Sequence, residues 1–219
     1  MEEGYHTPLE EYLQTILSLN SEGTEVIGAR IAERLGRSAP AVKEMLDRLE
    51  EDGYIERRGR AIVLTEQGQS VAVTVARRHG LAERLLVDVI GLEWHKVHEE
   101  AGKWEHVISS DVEAKLIALL GDPSTCPHGN PIPGSARQTA QTEALISSAN
   151  PGDRVLLVRI AEMLEFDDAA LEALDSVGFI PGCHGVISER GPDGSLTVTT
   201  DRGSTTLRGD VVDWLFIAA

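Results

Sequence analysis

The chain has 219 residues, of which 42% are hydrophobic and only 4% aromatic, so it can form one large domain or two to three small ones with mainly aliphatic cores. Its formal net charge of −16 attracts cations and repels nucleic acid, except where basic residues concentrate locally. The two distant cysteines exclude a disulfide framework and a cysteine-rich zinc site, and no apolar run is long enough to span a membrane. The acidic start is unlike a signal peptide, and we therefore expect an intracellular, cytoplasmic protein.

The first seventy residues predict three helices followed by a short hairpin. Apolar residues repeat at helical spacing in "PLEEYLQTILSL", and "VIGARIAERLG" ends at Gly36, a common stop signal. Ser38 can cap the third helix, and Pro40 suits its first turn. The strands "YIERR" and "AIVLTE" follow, separated by a turn. This order is typical of a winged helix-turn-helix, which is a DNA-binding unit.

The distribution of charge supports a DNA-binding role for this region. Residues 1–26 carry six acids and no lysine or arginine, whereas residues 27–62 carry eight basic and seven acidic residues, a net charge of +1 (8 − 7). The alternatives are an ordinary solvated surface and a winged helix that binds protein. Early in the third helix, Glu44 can accept from a cytosine amino group and Ala41 can touch a thymine methyl group. The candidate DNA-binding residues are Arg30, Arg37, Ser38, Pro40, Ala41, Lys43, Glu44, Arg48 and Arg60.

The segment from residue 71 to residue 120 is helical in pattern and more apolar. "VAVTVARRHGLAERLLVDVIG" predicts one long helix or two short ones, "EWHKVHEEAGKWEHVI" predicts the next, and "SSDVEAKLIALLG" the last. Ser109 or Ser110, followed by Glu113, resembles a capping box at the start of the last helix.

Histidine and carboxylate side chains share helix faces in this segment. His79 and Glu83 are spaced i, i+4. Because an α-helix advances by about 100° per residue, one stripe of the following helix holds His98, Gly102, Glu105 and His106. Two adjacent helices that display imidazole and carboxylate can converge on Fe(II), Mn(II), Co(II), Ni(II) or Zn(II). The alternative is that these are surface or helix-capping side chains.

An enzymatic function is the rival interpretation of the same residues. The stretch "HEEAG" does not match the zinc-protease motif HExxH, because Gly102 stands where the second histidine is required. A metal-dependent hydrolase needs an open coordination position, a base and a substrate pocket. Glu99 or Glu100 can supply the base, but no Gly-rich phosphate loop or nucleophile motif accompanies them. We therefore predict that the chain is not an enzyme, with a hydrolase as the distant alternative and a metal-independent DNA-binding or scaffold protein as a third possibility.

The last hundred residues change in character. "DPSTCPHGNPIPGSARQTAQTEALISSAN" is rich in Pro, Gly, Ser and Thr and indicates a loop followed by a mobile linker. Short strands follow in "RVLLVRIA", "GVISERG", "SLTVTT" and "TTLRG", interrupted by a helix in "DDAALEALDSVG". These elements predict a small SH3-like β-barrel, so the whole chain is mainly α with small β parts.

The run "RHGLAERLLVDVIGLEWHKVHEEAGKWEHVISSDVE", with "HGNPIPG" after it, resembles the diphtheria toxin repressor family of iron- and manganese-dependent bacterial transcriptional repressors. The likeness covers nearly the whole chain, since "ARIAERL", "SAPAVKEML" and "LEEDGYI" precede the run in the family's order. It implies a DNA-binding domain at 1–70, a helical metal-binding and dimerisation domain at 71–134, a flexible linker at 135–150 and an SH3-like domain at 151–219.

The resemblance also implies two metal ions per subunit. One site would use His79, Glu83 and His98, completed by Glu162 and Glu165 from the barrel. The other site would use Glu105, His106, Glu11 on the first helix and the backbone carbonyl of Gly102. Gly102 departs from the family, which has Cys or Glu at that position.

The function that the resemblance implies is metal-dependent repression of metal-homeostasis genes. Metal would favour the arrangement in which a homodimer grips double-stranded operator DNA. Iron-type members carry a methionine where Glu11 stands, and a hard carboxylate there favours Mn(II), with an iron-responsive repressor as the alternative. Co(II), Ni(II), Zn(II) or Cd(II) are expected to substitute in vitro, and no membrane association is expected.

Overall fold

The computed structural model describes residues 7–21, 23–137 and 142–219. They form two compact units. The first contains the described residues up to His79 together with Trp104–Ile108. The second contains Gly80–Lys103 together with the described part of Ser109–Ala219. Each unit has its own hydrophobic core. Among the described residues, no helix has both the length and the apolar character needed to cross a bilayer.

The first unit contains the predicted helices and hairpin. Leu13, Ile31 and Leu49 are fully buried in its core, one from each of the first three helices. The elements are α1 (Thr7–Ser21), α2 (Gly28–Leu35), α3 (Ala39–Glu51), β1 (Ile55–Arg58), β2 (Ala61–Leu64) and the beginning of α4 (Glu66–Arg84). The order confirms the winged helix-turn-helix.

Local signals fix the boundaries of these helices. Gly36 ends α2 in the left-handed region at φ 59°, which a glycine adopts without steric cost. The hydroxyl of Ser38 accepts a hydrogen bond from the Ala41 N–H at 3.4 Å and so caps α3. The Ile62 N–H donates to the Val26 carbonyl at 2.9 Å, which ties the hairpin to the segment before α2.

The second long segment is one helix rather than two. Helix α4 continues through a π-helical turn at Leu85–Ile90 and ends at Gly91, whose φ is 81°. A 3₁₀ turn at Trp94–Lys96 leads into α5 (Val97–Trp104). Helix α6 (Ser110–Leu120) follows, capped by the Ser109 hydroxyl, which accepts from the Val112 N–H at 3.3 Å.

The prediction that Glu105 and His106 continue the helical face of His98 and Gly102 is wrong. Helix α5 ends at Trp104, and the Val107 N–H bonds to the Trp104 carbonyl at 3.0 Å, three residues back. Glu105 and His106 therefore lie in a turn. The helical advance of about 100° per residue does not extend to them.

The C-terminal part of the second unit is an antiparallel sheet, consistent with the predicted SH3-like barrel. Its strands are β3 (Glu143–Leu145), β4 (Arg154–Ile160), β5 (His184–Arg190), β6 (Leu196–Thr199), β7 (Ser204–Leu207) and β8 (Leu215–Ala218), in the order β3-β8-β4-β5-β6-β7. The helices α7 (Asp168–Ser176) and α8 (Gly209–Val212) accompany the sheet.

Part of the expected linker is ordered. Residues 138–141 lie outside the described part of the chain, but β3 pairs with β8 and Ile146 is fully buried. The sequence pattern did not reveal β3 because it is only three residues long.

Two segments that precede the sheet in the chain are attached to it. Trp94 of the 3₁₀ turn is buried in the same core cluster as Leu157, Leu171 and Phe179. Gly129, in the loop that follows α6, has φ 87°, and a Cβ there would overlap the Val158 carbonyl of β4. The close approach of this loop to β4 therefore requires glycine.

We expect Gly129→Ala to lower the free energy of unfolding by about 2–3 kcal/mol, because it combines an unfavourable φ with overlap against β4. Gly152→Ala is the matched control: its φ is 98°, but a Cβ at this position would meet no atom within 4 Å, so only about 1 kcal/mol is expected. Urea denaturation measures both values. Equal decreases in the free energy of unfolding for the two variants would show that the close approach of the loop to β4 does not require glycine.

Candidate metal centre and DNA-binding surface

Glu83 is a fully buried carboxylate on α4 in the second unit. Its Oε1 lies 3.4 Å from His98 Nδ1 and 3.2 Å from His128 Nδ1. A buried charge is tolerated only when it is paired or coordinates a metal ion. The position of Glu83 between two imidazoles satisfies this requirement.

Glu165 is a second buried carboxylate that faces the same two histidines. It lies on the 3₁₀ turn Glu162–Phe166 that follows β4, and it is 6% exposed. Its Oε2 is 2.6 Å from His98 Nδ1 and 3.5 Å from His128 Nδ1. Its Oε1 accepts a hydrogen bond from the side-chain amide of Asn130 at 2.7 Å. The two carboxylates and two imidazoles thus form one group, in which Glu83, Glu165 and His128 are buried and His98 is half-buried.

The donor atoms of this group are close enough to share a cation. One ligand atom each from Glu83, His98 and Glu165 lie within 4.8 Å of one another. The same limit holds for Glu83, Cys126 and His128. The Nε2 atom of His128 is buried without a hydrogen-bond partner. Imidazole, carboxylate and thiolate together suit first-row divalent metals such as Mn(II), Fe(II), Co(II) and Zn(II).

Burial and neighbouring charge set the protonation of this group. Burial raises the pKa of the Cys126 thiol well above its usual value, and the nearby carboxylates of Glu83 and Glu165 raise it further. For His128, burial alone would lower the pKa, but the carboxylates of Glu165 and Glu83 outweigh it, and the pKa is raised. Both side chains therefore tend to hold a proton that a metal ion would have to displace.

A second histidine and carboxylate group lies within the first unit. His79 Nδ1 is 2.6 Å from Glu105 Oε2, and His106 Nε2 is 3.1 Å from Glu105 Oε1. His106 Nδ1 lies 2.6 Å from Glu10 Oε2, and this contact raises the pKa of His106. Glu105 thus bridges two imidazoles.

The structure differs from the sequence prediction in the carboxylate that faces His106. Glu10 makes the contact, whereas the Glu11 carboxylate lies 3.7 Å from Arg37 Nη2. Both acids are adjacent on α1, and one residue rotates the side chain by about 100°. Glu10 is therefore the α1 carboxylate that contacts His106, and Glu11 stays a predicted ligand.

Two further positions were predicted as metal ligands, namely Glu162 and Gly102. Glu165 belongs to the cluster around Glu83, whereas Glu162, at the start of the same turn, belongs to neither group of nearby ligand atoms found among the described residues. A Cβ built at Gly102 would meet no atom within 4 Å, so the position has space for a side chain that the chain lacks.

Sequence reasoning missed Cys126, His128 and Glu10. The first two lie in "CPHGN", whose composition predicts a loop. The separation of a cysteine and a histidine by one residue was the available signal, but nothing in the pattern indicated that the loop is buried against Glu83.

The predicted DNA-contacting side chains are all exposed on the first unit. Four of the basic ones form ion pairs within the chain, and Arg30 donates to the Glu25 carbonyl at 3.0 Å. The pairs are Arg37–Glu11 (3.7 Å), Lys43–Asp47 (2.6 Å), Arg48–Asp52 (3.6 Å) and Arg60–Glu25 (2.7 Å). DNA phosphates would therefore compete with carboxylates for these cations.

Two family models match the chain. Residues 6–61 match the N-terminal DNA-binding domain of iron-dependent repressors, and residues 65–134 match the metal-binding and dimerisation domain of the same proteins. The chain therefore resembles these repressors in both its DNA-binding and its metal-binding and dimerisation parts.

Curated relatives are similar over most of their length. The iron-dependent repressor of Mycobacterium tuberculosis is 42% identical over 200 residues, which cover 86% of this chain and 86% of the relative. The diphtheria toxin repressor of Corynebacterium diphtheriae is 36% identical over 211 residues, which cover 92% of each chain. These relatives are repressors and not enzymes, which confirms that part of the prediction.

Solved structures share the fold. A manganese-dependent transcriptional repressor in complex with manganese has a TM-score of 0.80 and 27% identity, covering 96% of this chain and 99% of that one. A crystal structure of IdeR from T. acidophilum has a TM-score of 0.73 and 28% identity, covering 96% and 97%.

We expect metal binding to release protons, because the raised pKa values of His106 and His128 keep these imidazoles partly protonated near neutral pH. Apparent Mn(II) affinity should rise with pH until both imidazoles are neutral. Calorimetric titration in two buffers of different protonation enthalpy measures the released protons.

The control is Glu10→Gln, which removes the main cause of the raised pKa of His106 and should reduce proton release. In the metal-free protein the same contact should stabilise the fold below the unfolded pKa of about 6.5, and this stability should be lost as pH rises through the raised value. A heat of Mn(II) binding that is the same in both buffers would contradict the predicted proton release.

Proposed function

Because this chain belongs to the iron-dependent repressor family that includes the diphtheria toxin repressor, we propose that it is a DNA-binding repressor activated by a divalent metal ion. The observation that carries the proposal is the group in which the buried carboxylates of Glu83 and Glu165 face His98 and His128. Burying the two carboxylates is costly unless their charges are balanced, and one divalent cation balances two carboxylates.

The proposed ligands of this ion are Glu83, His98 and Glu165, joined by Cys126 and His128 of the loop. We also include His79, because it stands one helical turn before Glu83 on α4, and i, i+4 residues share a helix face. Glu162 stays a predicted ligand. The ion would supply positive charge and a fixed geometry, whereas the chain supplies the donors and excludes water.

A second ion per subunit is proposed near His106. Glu105 and His106 are its predicted ligands, with Glu10 now added to Glu11 as a carboxylate of α1. Gly102 offers only its carbonyl there. Two divalent ions would offset about four of the 16 net negative charges of the chain, which favours the approach of DNA.

The proposed DNA-reading element is α3, with the hairpin as the wing. Ser38, Pro40, Ala41 and Glu44 are exposed at its beginning, where recognition helices contact base edges. A single α3 reads only a few base pairs, and a homodimer would present two such helices about 34 Å apart along the duplex. We propose that operator DNA is the partner. We also propose that the chain consists of a DNA-binding domain (1–70), a metal-binding and dimerisation domain (71–134), a linker (135–150) and an SH3-like domain (151–219).

Exposed apolar side chains support the homodimer. In the helices and turns that precede the sheet, Val89, Ile90, Val112 and Leu119 are 47–64% exposed. Large apolar side chains left in water commonly mark an interaction surface. The matching family model is that of a dimerisation domain.

Linkage explains how metal would control DNA binding. An ion shifts the equilibrium only as far as it binds one arrangement of the chain more tightly than the others. The proposed ligands of the first ion come from α4, α5, the loop after α6 and the 3₁₀ turn after β4, so this ion favours the arrangement in which these segments meet. DNA must by reciprocity tighten the binding of metal.

Two candidate metals are favoured by different observations. The carboxylates of Glu10 and Glu105 beside His106 favour Mn(II), as does the manganese-dependent structural neighbour. Cys126 in the cluster around Glu83 and the 42% identity to an iron-dependent repressor favour Fe(II). We keep Mn(II) as the first candidate and Fe(II) as the alternative; anaerobic titration with each ion, paired with DNA retention, decides between them.

We expect retention of promoter DNA in a gel shift to require Mn(II) or Fe(II) and to disappear with chelator. Glu83→Gln should weaken metal affinity by at least about 10–100-fold, a loss seen even for residues that only support ligands, and should abolish metal-dependent retention. The control is Glu172→Gln, an exposed glutamate of α7. Retention that is indifferent to metal would contradict the proposal and support a metal-independent DNA-binding protein.

The exposed ion pair between Arg60 and Glu25 gives a test of the DNA-binding surface. Arg60→Ala should weaken DNA binding without changing metal affinity and should lower the salt slope by about one. Glu25→Gln should strengthen binding by about 2–3-fold, because it frees Arg60 from an exposed ion pair, and such pairs are weak. Arg154→Ala, an exposed arginine of β4, is the control; unaltered slopes throughout would remove Arg60 from the phosphate contacts.

A further inference from the structure

We propose that Arg84 and Trp94 are positioning residues that hold the loop carrying Cys126 and His128 in its metal-binding conformation before an ion arrives. The inference rests on the proposed function, because it assumes that these two side chains are metal ligands. Its consequences for the metal-free chain can nevertheless be measured separately.

The loop is held through its backbone carbonyl groups. Those of Thr125, Cys126, Pro127 and His128 each accept a hydrogen bond from a group outside the loop. Four consecutive peptide units with fixed carbonyls leave little freedom in φ and ψ. The directions in which Cys126 and His128 project are therefore fixed by contacts that involve no metal ligand.

Arg84 holds the first half of the loop. Its Nε donates to the Thr125 carbonyl at 2.7 Å, and its Nη2 donates to the Cys126 carbonyl at 3.1 Å and to the Thr125 hydroxyl at 3.3 Å. The planar guanidinium presents both nitrogens along one edge, so it can serve two successive carbonyls. A lysine ammonium at this position would keep the charge but could not reproduce both bonds with the same geometry.

Trp94 holds the second half. Its indole Nε1–H donates to the Pro127 carbonyl at 3.0 Å, and this bond is buried. The ring centroids of Trp94 and His128 are 4.8 Å apart at an angle of 65°, an edge-to-face contact that restricts the imidazole plane. The same indole is part of the hydrophobic core of the sheet, so its own position is fixed by packing.

The far side of the loop is attached to the barrel. The Ile160 N–H at the end of β4 donates to the His128 carbonyl at 3.0 Å, and Asn130 contacts Glu165. A cavity of about 680 Å³ borders the loop and is lined in part by Arg84, Trp94 and Cys126. Because apolar packing is incomplete on the side of the loop that faces this cavity, the position of the loop depends more on the hydrogen bonds to its backbone carbonyls.

The functional consequence is preorganisation. A ligand loop that is already ordered binds an ion without losing its conformational freedom at that moment. Loss of either clamp should therefore weaken metal binding at Cys126 and His128, although neither Arg84 nor Trp94 touches the ion.

The test uses the full chain with Cys183→Ser, so that Cys126 is the only thiol. In the metal-free protein, the rate of modification of Cys126 by an aromatic disulfide reagent reports the opening of the loop. Arg84→Lys and Trp94→Phe should each raise this rate by about tenfold, the effect of losing one hydrogen bond from the closed loop. Titration with Co(II), followed by its thiolate charge-transfer absorption, should show an affinity about tenfold lower in both variants.

Asp88→Asn is the matched control for Arg84, because it removes the 3.5 Å pair between Arg84 and Asp88 without touching the loop. Trp214→Phe is the matched control for Trp94, and thermal unfolding of every variant monitors the fold. Unchanged Cys126 rates in Arg84→Lys and Trp94→Phe would overturn the proposal, as would equal increases in the two controls. A protected Cys126 in a wild-type chain that binds no Co(II) would instead overturn the proposed function, and the positioning role with it.

Discussion

The meeting of two buried carboxylates with two histidines is the constraint on which the rest of this chain depends. Glu83 and Glu165 come from elements 82 residues apart in sequence (165 − 83), and both are almost inaccessible to water. Carboxylates in such a place are stable only if cations or hydrogen-bond donors reach them. The imidazoles of His98 and His128 do so here, and in the proposed metal site a divalent ion would replace protons as the source of positive charge.

The clamped loop extends this constraint to the backbone. Arg84, Trp94 and Ile160 hold successive carbonyls of the loop, and they belong to a helix, a 3₁₀ turn and a sheet strand respectively. The second unit therefore has its ligand-bearing segments tied together by polar contacts as well as by its apolar core. A metal ion would bind to a loop that is already ordered. Its binding free energy would therefore favour one conformation of the chain over others rather than fold the loop.

Local signals in the sequence predicted the elements well and their contacts only in part. Gly36, Ser38 and Ser109 end or cap helices as expected, because capping depends on neighbouring residues alone. The fold class and most strands followed from periodicity. The choice of Glu10 over Glu11 could not be predicted, because one residue of helical rotation separates two identical side chains. The roles of Cys126 and His128 were hidden for another reason: their partners are 43 (126 − 83) and 45 (128 − 83) residues away, and burial of a Pro-rich loop is a tertiary event.

The π-helical turn at Leu85–Ile90 has a consequence for how this region would tolerate change. A π turn is closed by i→i+5 hydrogen bonds and therefore holds more residues than an α turn. Within this turn Leu86 is buried, whereas Val89 and Ile90 are more than half exposed to water. Deleting one residue here would shorten the turn and shift Val89 and Ile90 relative to Leu86, so a subunit contact formed by these exposed side chains would depend on the length of the chain at this point as well as on their identity.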